Sequence, residues 1–348
     1  MKKIVVKVGS SVIAPGGNLD LALIGRIIKD LLAAERLGYK VILVSSGAIA
    51  CGLRVLGLKR KPNDIHSLMA IAAFGQIILM DTFNAKFKKY KRRSAQVLLT
   101  WDDFNFRQRF INIRTTIDKL LEMNMVPIIN ENDAVSCEEI RFGDNDSLSA
   151  RVAVLGRAEK LIMLSDVEGL LKGSQLVKEV VKINPEISSL AVKEDKTHTS
   201  GGMATKLEAA EMATSSGITT FIASGRRKGV ICGIVKGQAI GTVFLPSSAK
   251  ERDRKIWIAN KKIKGRIIID QGAKTALLDK GRSLLNVGII SVFGSFKKDD
   301  AVTVLDQEGK ILGCGLVNYS FQELSSKIKT KLDQEVIHRD NFTKKTNR

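Results

Sequence analysis

The first 245 residues alternate short apolar runs with longer stretches in which apolar residues recur at helical spacing. The runs cover residues 4–8, 41–44, 96–99, 125–129, 161–164 and 219–223, and the helical patterns cover 21–37, 67–87, 109–123, 146–155 and 206–215. The runs show little alternation, which is typical of strands buried on both faces. The pattern predicts an α/β domain, a three-layer αβα sandwich around a mainly parallel sheet.

The pattern changes after residue 246, where a polar segment that indicates a linker begins. Residues 256–319 form short β-type runs separated by glycines, with a helical pattern at 273–280. Such spacing predicts a small β-barrel. We therefore predict domains at 1–246 and 254–326, followed by a C-terminal helix or tail at 327–348 whose polar, basic end, from residue 340, is frayed.

The length of 348 residues also favours two domains, and 44% hydrophobic residues suffice for a core. Lys and Arg number 56 against 36 Asp and Glu, a net charge of +20. This excess favours nucleic acid, a membrane surface or an anionic metabolite as partner. Residues 1–250 hold 36 basic and 24 acidic side chains, and the remainder holds 20 and 12. Because both parts are basic, the sequence excludes a basic arm on a neutral enzyme.

The four cysteines include no CxxC pair, so the sequence indicates neither a disulfide framework nor a zinc site. The longest nearly apolar stretch, residues 70–80, is shorter than the roughly 20 residues that span a bilayer. Near the N-terminus, Lys7 interrupts the apolar run that a signal peptide would need. We therefore expect no membrane partner and a cytoplasmic location.

Two glycine-containing loops place a lysine where a phosphate could bind. Residues 7–11 (KVGSS) follow the first predicted strand, and residues 200–206 (SGGMATK) precede a predicted helix. A lysine neutralises a phosphate while glycine lets backbone N–H groups approach its oxygens. An ordinary turn and a flexible linker, respectively, are the structural alternatives. Against the linker, a lysine at a helix start opposes the helix dipole unless an anion binds there.

Three further loops follow or precede predicted elements in the same domain. Residues 45–49 (SSGAI) open a helix, whose N-terminus could bind a carboxylate, although the local sequence favours a serine cap. Residues 130–133 (NEND) and 143–147 (GDNDS) concentrate four carboxylates and three amides. These suit a ligand with an ammonium group or a metal ion on phosphates, while turns and helix caps would give the same composition.

Together the five loops favour phosphoryl transfer. The sequence offers no Ser-His-Asp or Cys-His arrangement, and His66, His198 and His338 lie outside the strand-end loops. A carboxylate acceptor is already ionised at neutral pH and needs no general base.

In this order, the five loops resemble those of bacterial glutamate 5-kinases, members of the amino acid kinase family with a C-terminal PUA domain. The resemblance covers about residues 2–325 and includes VVKVGSS at 5–11, SSGAIA at 45–50, NENDAV at 130–135, FGDND at 142–146 and SGGMATK at 200–206. It implies ATP-dependent phosphorylation of the γ-carboxylate of L-glutamate to L-glutamyl 5-phosphate, the first step of proline biosynthesis. The alternatives are another carboxylate kinase of the family and an RNA-binding PUA protein on a kinase-like scaffold.

The resemblance also implies roles for individual residues. Lys7 and Lys206 would stabilise the transferred phosphoryl group, and Asp146 would hold both lysines. The substrate would be bound by Ser46, Gly47, Ala48, Asp133 and Asn145. The nucleotide would be bound by Lys7, Gly9, Ser10, Ser165, Asp166, Ser200, Gly201, Gly202, Met203, Ala204, Thr205 and Lys206. Mg²⁺ would lie mainly on the ATP phosphates, with Asp144 and Asp146 as the nearest carboxylates.

The chain departs from the family pattern at two places. Ser10 stands where threonine is common, and residues 172–174 (KGS) replace a longer loop with a tyrosine and an Asp-Pro pair beside the nucleotide. The second departure bears on nucleotide affinity and selectivity. The resemblance further implies a dimer or tetramer and feedback inhibition by proline. In the second domain, few aromatic residues accompany the basic stretch near residue 264, which favours a structural or regulatory module over specific RNA binding.

Overall fold

A computed structural model of the chain describes residues 1–58, 60–136, 145–192, 202–246, 255, 258, 261 and 263–344. The chain forms two compact units, Met1–Ala249 and Lys250–Arg348. The predicted linker after residue 246 lies outside the described residues.

The first unit is built on an eight-stranded sheet. Its strands follow the order β3-β4-β2-β1-β5-β9-β10-β8, and the first six are parallel. The predicted mainly parallel α/β fold is therefore confirmed. The bounds are β1 Lys2–Val8, β2 Tyr39–Ser45, β3 Arg93–Leu99, β4 Met125–Glu131, β5 Lys160–Ser165, β8 Glu179–Val180, β9 Thr219–Ser224 and β10 Thr242–Phe244.

Helices cover both faces of this sheet. Ile4 and Val6 of β1 pack in one hydrophobic cluster with the helix that follows β1, whereas Ile42 of β2 faces Gly156 at the end of another helix on the opposite side. The bounds are α1 Ser10–Ile13, α2 Leu21–Arg36, α3 Ala48–Val55, α4 Ile65–Lys88, α5 Trp101–Asn105, α6 Arg107–Glu122, α7 Asn145–Gly156, α8 Pro185–Val192, α9 Met203–Ser215 and α10 Val230–Val235.

The sequence patterns did not predict the two strands, β10 and β8, that lie beyond β9 in the sheet. Strand β10 is antiparallel to β9, and β8 pairs with β10. With three and two residues these strands are too short for a periodic signal. The shortened loop at 172–174 closes a hairpin of β6 Leu171–Lys172 and β7 Gln175–Leu176, in which Gly173 adopts a left-handed φ of 64°. A two-residue hairpin turn requires such a conformation.

Helix α4 is long and apolar enough, by length and composition, to cross a membrane. Its residues Leu79, Phe83 and Phe87 are buried in the hydrophobic cluster of the first unit. Packing in that core accounts for the apolar residues on the buried face of α4, whereas Phe74 and Ile77 are exposed.

The second unit holds five strands in the order β12-β11-β13-β14-β15, with β11 and β13 parallel and the other pairs antiparallel. The bounds are β11 Ile263–Ile269, α11 Gln271–Leu278, β12 Ile289–Gly294, β13 Ala301–Leu305, β14 Ile311–Leu316, α12 Phe321–Ser326 and β15 Phe342–Lys344. The predicted frayed tail is wrong for residues 342–344. Strand β15 pairs with β14, and Phe342 joins Val336 and Ile337 in the core of this unit.

Candidate active site

The carboxyl ends of β1, β2, β4 and β5 meet at one edge of the sheet, where loops form a cavity of about 190 Å³. Ligands of open parallel sheets bind at this edge. The structure brings many of the predicted site residues to this cavity. They are Lys7, Gly9, Ser10, Ser46, Gly47, Ala48, Asp133, Ser165 and Lys206. Lys61, which the motifs do not include, also lines it.

Two lysines from distant parts of the chain meet on one carboxylate. Lys7 Nζ lies 2.5 Å from Asp146 Oδ1, and Lys206 Nζ lies 3.0 Å from Asp146 Oδ2. All three residues are buried, with exposures of 5% for Lys7, 6% for Lys206 and 0% for Asp146. The cluster therefore sets two positive charges against one negative charge, and both lysines line the cavity.

The protonation state of Asp146 follows from these contacts. Burial opposes its ionisation, but the charges of Lys7 and Lys206 together outweigh burial and lower the pKa of Asp146 to about 2. At neutral pH the carboxylate is therefore ionised and holds both ammonium groups.

Local backbone geometry places the side chains of Lys7 and Lys206 at the cavity. Gly9 donates its N–H to the Leu164 carbonyl oxygen over 3.4 Å, and a Cβ at Gly9 would lie 3.5 Å from Lys7 Nζ. A side chain at this position would therefore pack directly against the ammonium group of Lys7. Helix α9 begins after Gly202, and Thr205 donates to the Gly202 carbonyl oxygen over 2.9 Å while lying 3.4 Å from Asp146 Oδ2.

The start of helix α3 forms another wall of the cavity. Gly47 is its N-cap, with a left-handed φ of 108° and no side-chain cap. The expected serine cap is wrong, because Ser45 Oγ donates to the Ser46 carbonyl oxygen and Ser46 Oγ accepts from the amide of Asn145. The first helical N–H bond runs from Cys51 to Gly47, so the preceding N–H groups lie outside the helical ladder.

A chain of buried amides runs beside this wall. Asn145 Nδ2 lies 2.9 Å from Ser46 Oγ, 3.0 Å from the Ser45 carbonyl oxygen and 2.9 Å from Asn130 Oδ1. Asn130 Nδ2 in turn donates to Gln76 Oε1 over 2.8 Å. We did not predict Gln76, because a lone glutamine inside an apolar helix belongs to no motif.

Several predicted residues lie away from the cavity lining. Asn145 and Asp146 lie behind the lining residues Ser46, Lys7 and Lys206, whereas Asp166 is exposed and accepts from Ser165 Oγ over 3.0 Å. Gly202, Met203, Ala204 and Thr205 form the start of α9 that places Lys206. Asp144, Ser200 and Gly201 lie outside the described residues.

The described residues do not form a metal centre. Among them, no group of three or more His, Cys, Asp or Glu side chains could hold a metal ion. Asp146 does not fit as a metal ligand, because its two oxygens contact the two lysines.

Comparisons with known proteins agree with the motifs. The amino acid kinase family model matches residues 2–224, and the PUA domain model matches residues 265–339. A glutamate 5-kinase of Syntrophotalea carbinolica is 43% identical over 99% of this chain and 98% of that protein. Another, from Nitrosomonas eutropha, is 40% identical over 98% of this chain and 97% of that protein. A solved carbamate kinase structure from Giardia, 18% identical, covers 71% of this chain and 99% of its own, with a TM-score of 0.48.

The similarity at about 40% identity extends through both units, and the cavity at the strand ends holds the residues of the ordered motifs. The chain therefore belongs to the amino acid kinase family and, within it, to the glutamate 5-kinases with a PUA domain.

Proposed function

We propose that this protein transfers the γ-phosphoryl group of ATP to the side-chain carboxylate of L-glutamate and so catalyses the first step of proline biosynthesis. The observation that carries the proposal is the contact of Lys7 and Lys206 with the one buried carboxylate of Asp146 at the cavity. The full-length similarity to glutamate 5-kinases supports the same acceptor.

The lysines act on charge. Phosphoryl transfer spreads negative charge over the oxygens of the moving group, and catalysis consists of positioning and electrostatic stabilisation. Asp146 holds both ammonium groups at the cavity, where they can stabilise the negative charge of the phosphoryl group. Because Asp146 fixes both ammonium groups before substrate binds, little reorganisation is needed during transfer.

The acceptor end of the cavity suits an amino acid. We assign the ammonium group of glutamate to Asp133, which is 6% exposed, and a substrate carboxylate to Ser46 and the N–H groups of Gly47 and Ala48. These N–H groups stand at a helix N-terminus, which favours anions. The attacking carboxylate is ionised at neutral pH, so no residue needs to remove a proton.

At the nucleotide end we assign Gly9, Ser10, Ser165 and the loop before Lys206. A divalent metal, which we propose to be Mg²⁺, would enter with ATP on its phosphates, because Asp146 is occupied by the lysines. We further propose a cytoplasmic location, supported by the free thiols of Cys51 and Cys232. A homodimer or homotetramer, inhibition by proline and the absence of specific RNA binding stay predictions.

A substrate panel tests the proposal. ADP release is measured with ATP, Mg²⁺ and each of L-glutamate, L-aspartate, N-acetyl-L-glutamate, carbamate and UMP. We expect release to depend on L-glutamate alone. A folded protein that releases no ADP with glutamate contradicts the proposal, and release with another acceptor identifies a different kinase of the family.

A further inference from the structure

Gln76 is a buried amide in the middle of the apolar helix α4, and 8% of its surface is exposed. Burying such a group without hydrogen bonds is costly. Its Oε1 accepts from Asn130 Nδ2 over 2.8 Å, while among the described residues its Nε2 has no hydrogen-bond partner. Among the described residues, the side-chain hydrogen bond of Gln76 therefore connects it to the amides of Asn130 and Asn145, behind the proposed glutamate site.

Close packing between helices α3 and α4 fixes where Gln76 lies relative to the start of α3. A Cβ on the adjacent Gly75 would collide with the Ala48 carbonyl oxygen, and one on Gly52 would collide with the Ile71 carbonyl oxygen. Helices α3 and α4 therefore touch backbone to backbone through these two glycines. The N-terminus of α3 lines the cavity, so the same contact positions both the cavity wall and Gln76.

Backbone groups determine which way each amide points. The Glu131 N–H, which can only donate, bonds to Asn130 Oδ1 over 3.0 Å, so Asn130 Nδ2 must face Gln76 and Gln76 must present its oxygen. At the other end of the amide chain, the Ser45 carbonyl oxygen can only accept a hydrogen bond. The amide nitrogen of Asn145, and not its oxygen, must therefore face Ser45. The direction of the whole chain thus follows from fixed donors and acceptors.

The chain ends at a hydroxyl that lines the cavity. The two hydrogens of Asn145 Nδ2 are shared among three acceptors within 3.0 Å, and Ser46 Oγ is one of them, at 2.9 Å. A hydroxyl has one proton, and accepting this bond leaves that proton available to a cavity ligand. The acceptor that fits is a carboxylate oxygen of the amino acid substrate.

We infer that Gln76 is a positioning residue for glutamate: through Asn130 and Asn145 it orients Ser46 as a hydrogen-bond donor to the substrate. This inference rests on the proposed function. Gln76 lies in none of the phosphate-binding loops, and the chain leads to Ser46 rather than to Lys7 or Lys206. Its loss should therefore weaken glutamate binding and spare ATP.

The test compares Gln76→Met with Gln96→Met. Met keeps the length of the side chain and removes both polar atoms, and Gln96 is an exposed amide beside the same 250 Å³ cavity that Gln76 lines. We expect Gln76→Met to raise the KM for glutamate about tenfold, the loss of roughly one net hydrogen bond, and to leave the KM for ATP within about twofold. Gln96→Met should leave both unchanged. Gln76→Glu, which keeps an acceptor oxygen toward Asn130, should give a lower glutamate KM than Gln76→Met.

Equal increases in both KM values, an unchanged glutamate KM in Gln76→Met, or no advantage of Gln76→Glu would overturn the inference. Should Gln76→Met fail to fold, Gln76→Ala carries the test, because the adjoining cavity lets solvent fill the vacated space. Wild-type activity separates the two proposals. A wild type inactive with glutamate refutes the proposed function, whereas an active wild type with an unaffected Gln76→Met variant refutes only the role of Gln76.

Discussion

Each unit of the chain contains a buried aspartate in contact with lysine, but the lysines differ in number and in exposure. Asp146 is completely buried and contacts two buried lysines. In the second unit, Asp306 contacts the single Lys274, whose side chain is 28% exposed, over 2.8 Å. Asp306 also accepts the N–H groups of Glu308 and Lys310, so it holds a turn.

The difference shows in which environment charged side chains can contribute to catalysis. At the pair in the second unit, Lys274 is partly exposed, so water and salt screen its charge, and the contact serves local structure. At the buried cluster, screening is weak, and two ammonium groups contact one carboxylate. Most of the +20 net charge lies outside this cluster, including the exposed Lys264 and Arg266. The total charge therefore identifies no partner, whereas two buried lysines indicate a phosphate.

Removal of the buried carboxylate should have the largest effect. Asp146→Asn leaves two buried ammonium groups without their common counter-charge, so we expect a loss of about 3–5 kcal/mol in the free energy of unfolding. We expect kcat to fall at least about 10³-fold, because both lysines lose their position. Chemical denaturation and steady-state kinetics measure the two losses. A variant as stable and active as wild type would contradict the assigned role of Asp146.

Removal of one lysine should affect rate more than binding. Lys206→Ala leaves Lys7 on Asp146 but removes the second charge, so we expect kcat to fall about 10²–10³-fold. The Kd for glutamate, measured by calorimetry, should stay within about threefold, because the lysine acts mainly in the transition state. A loss of glutamate affinity as large as the loss of rate would assign Lys206 to ground-state binding instead.

The contact between α3 and α4 can be tested with matched glycines. Gly75→Ala places a methyl group against the Ala48 carbonyl oxygen, and we expect a loss of about 1–3 kcal/mol in the free energy of unfolding. Gly25→Ala in helix α2 meets only Lys86 Cδ at 3.9 Å, so it should stabilise the protein by about 0.5–1 kcal/mol. Thermal unfolding of both variants measures the difference. Equal effects would mean that the close contact does not constrain the helices.

The buried cluster of Lys7, Lys206 and Asp146 should also make the free energy of unfolding depend on pH in the acid range. The pKa of Asp146 is lowered in the folded state to about 2, below its ordinary value of 3.8. Its contribution is therefore fully present above about pH 5 and is lost as the pH falls toward 2. The difference in unfolding free energy between wild type and Asp146→Asn should shrink over this range. A difference independent of pH would show that the carboxylate is not preferentially ionised in the folded protein.

The partly exposed pair of Lys274 and Asp306 should give the smallest effect. We expect Lys274→Ala to leave kcat and both KM values within about twofold, because its contact with Asp306 is partly exposed and lies in the other unit. Steady-state kinetics at low and physiological salt provide the check. A large loss of activity would mean that charge in the second unit contributes to catalysis.

The sequence predicted the parts of the molecule that local patterns encode. The six parallel strands contain continuous apolar runs, the long helices contain apolar residues at helical spacing, and the lysine loops are contiguous motifs. The short strands β8 and β10 and the terminal β15 escaped prediction, because two or three residues carry no periodic signal and tertiary pairing creates them.

The candidate site also contains residues that local motifs reveal and residues that only tertiary packing brings together. The family resemblance implied the substrate role of Ser46. Its local sequence favoured a cap, because a serine cap and an anion site have the same composition. Gln76 could not be found, since its partner Asn130 is 54 residues away and only the packing of α4 against the sheet brings the two amides together.

The most direct test of phosphoryl transfer to a carboxylate is the product itself. With ATP, Mg²⁺, L-glutamate and hydroxylamine, an acyl phosphate is trapped as a hydroxamate while ADP is released. We expect one γ-glutamyl hydroxamate for each ADP in the wild type, and a parallel loss of both products in Lys206→Ala. ADP release without hydroxamate would contradict the claim that the buried lysines serve transfer to the glutamate carboxylate.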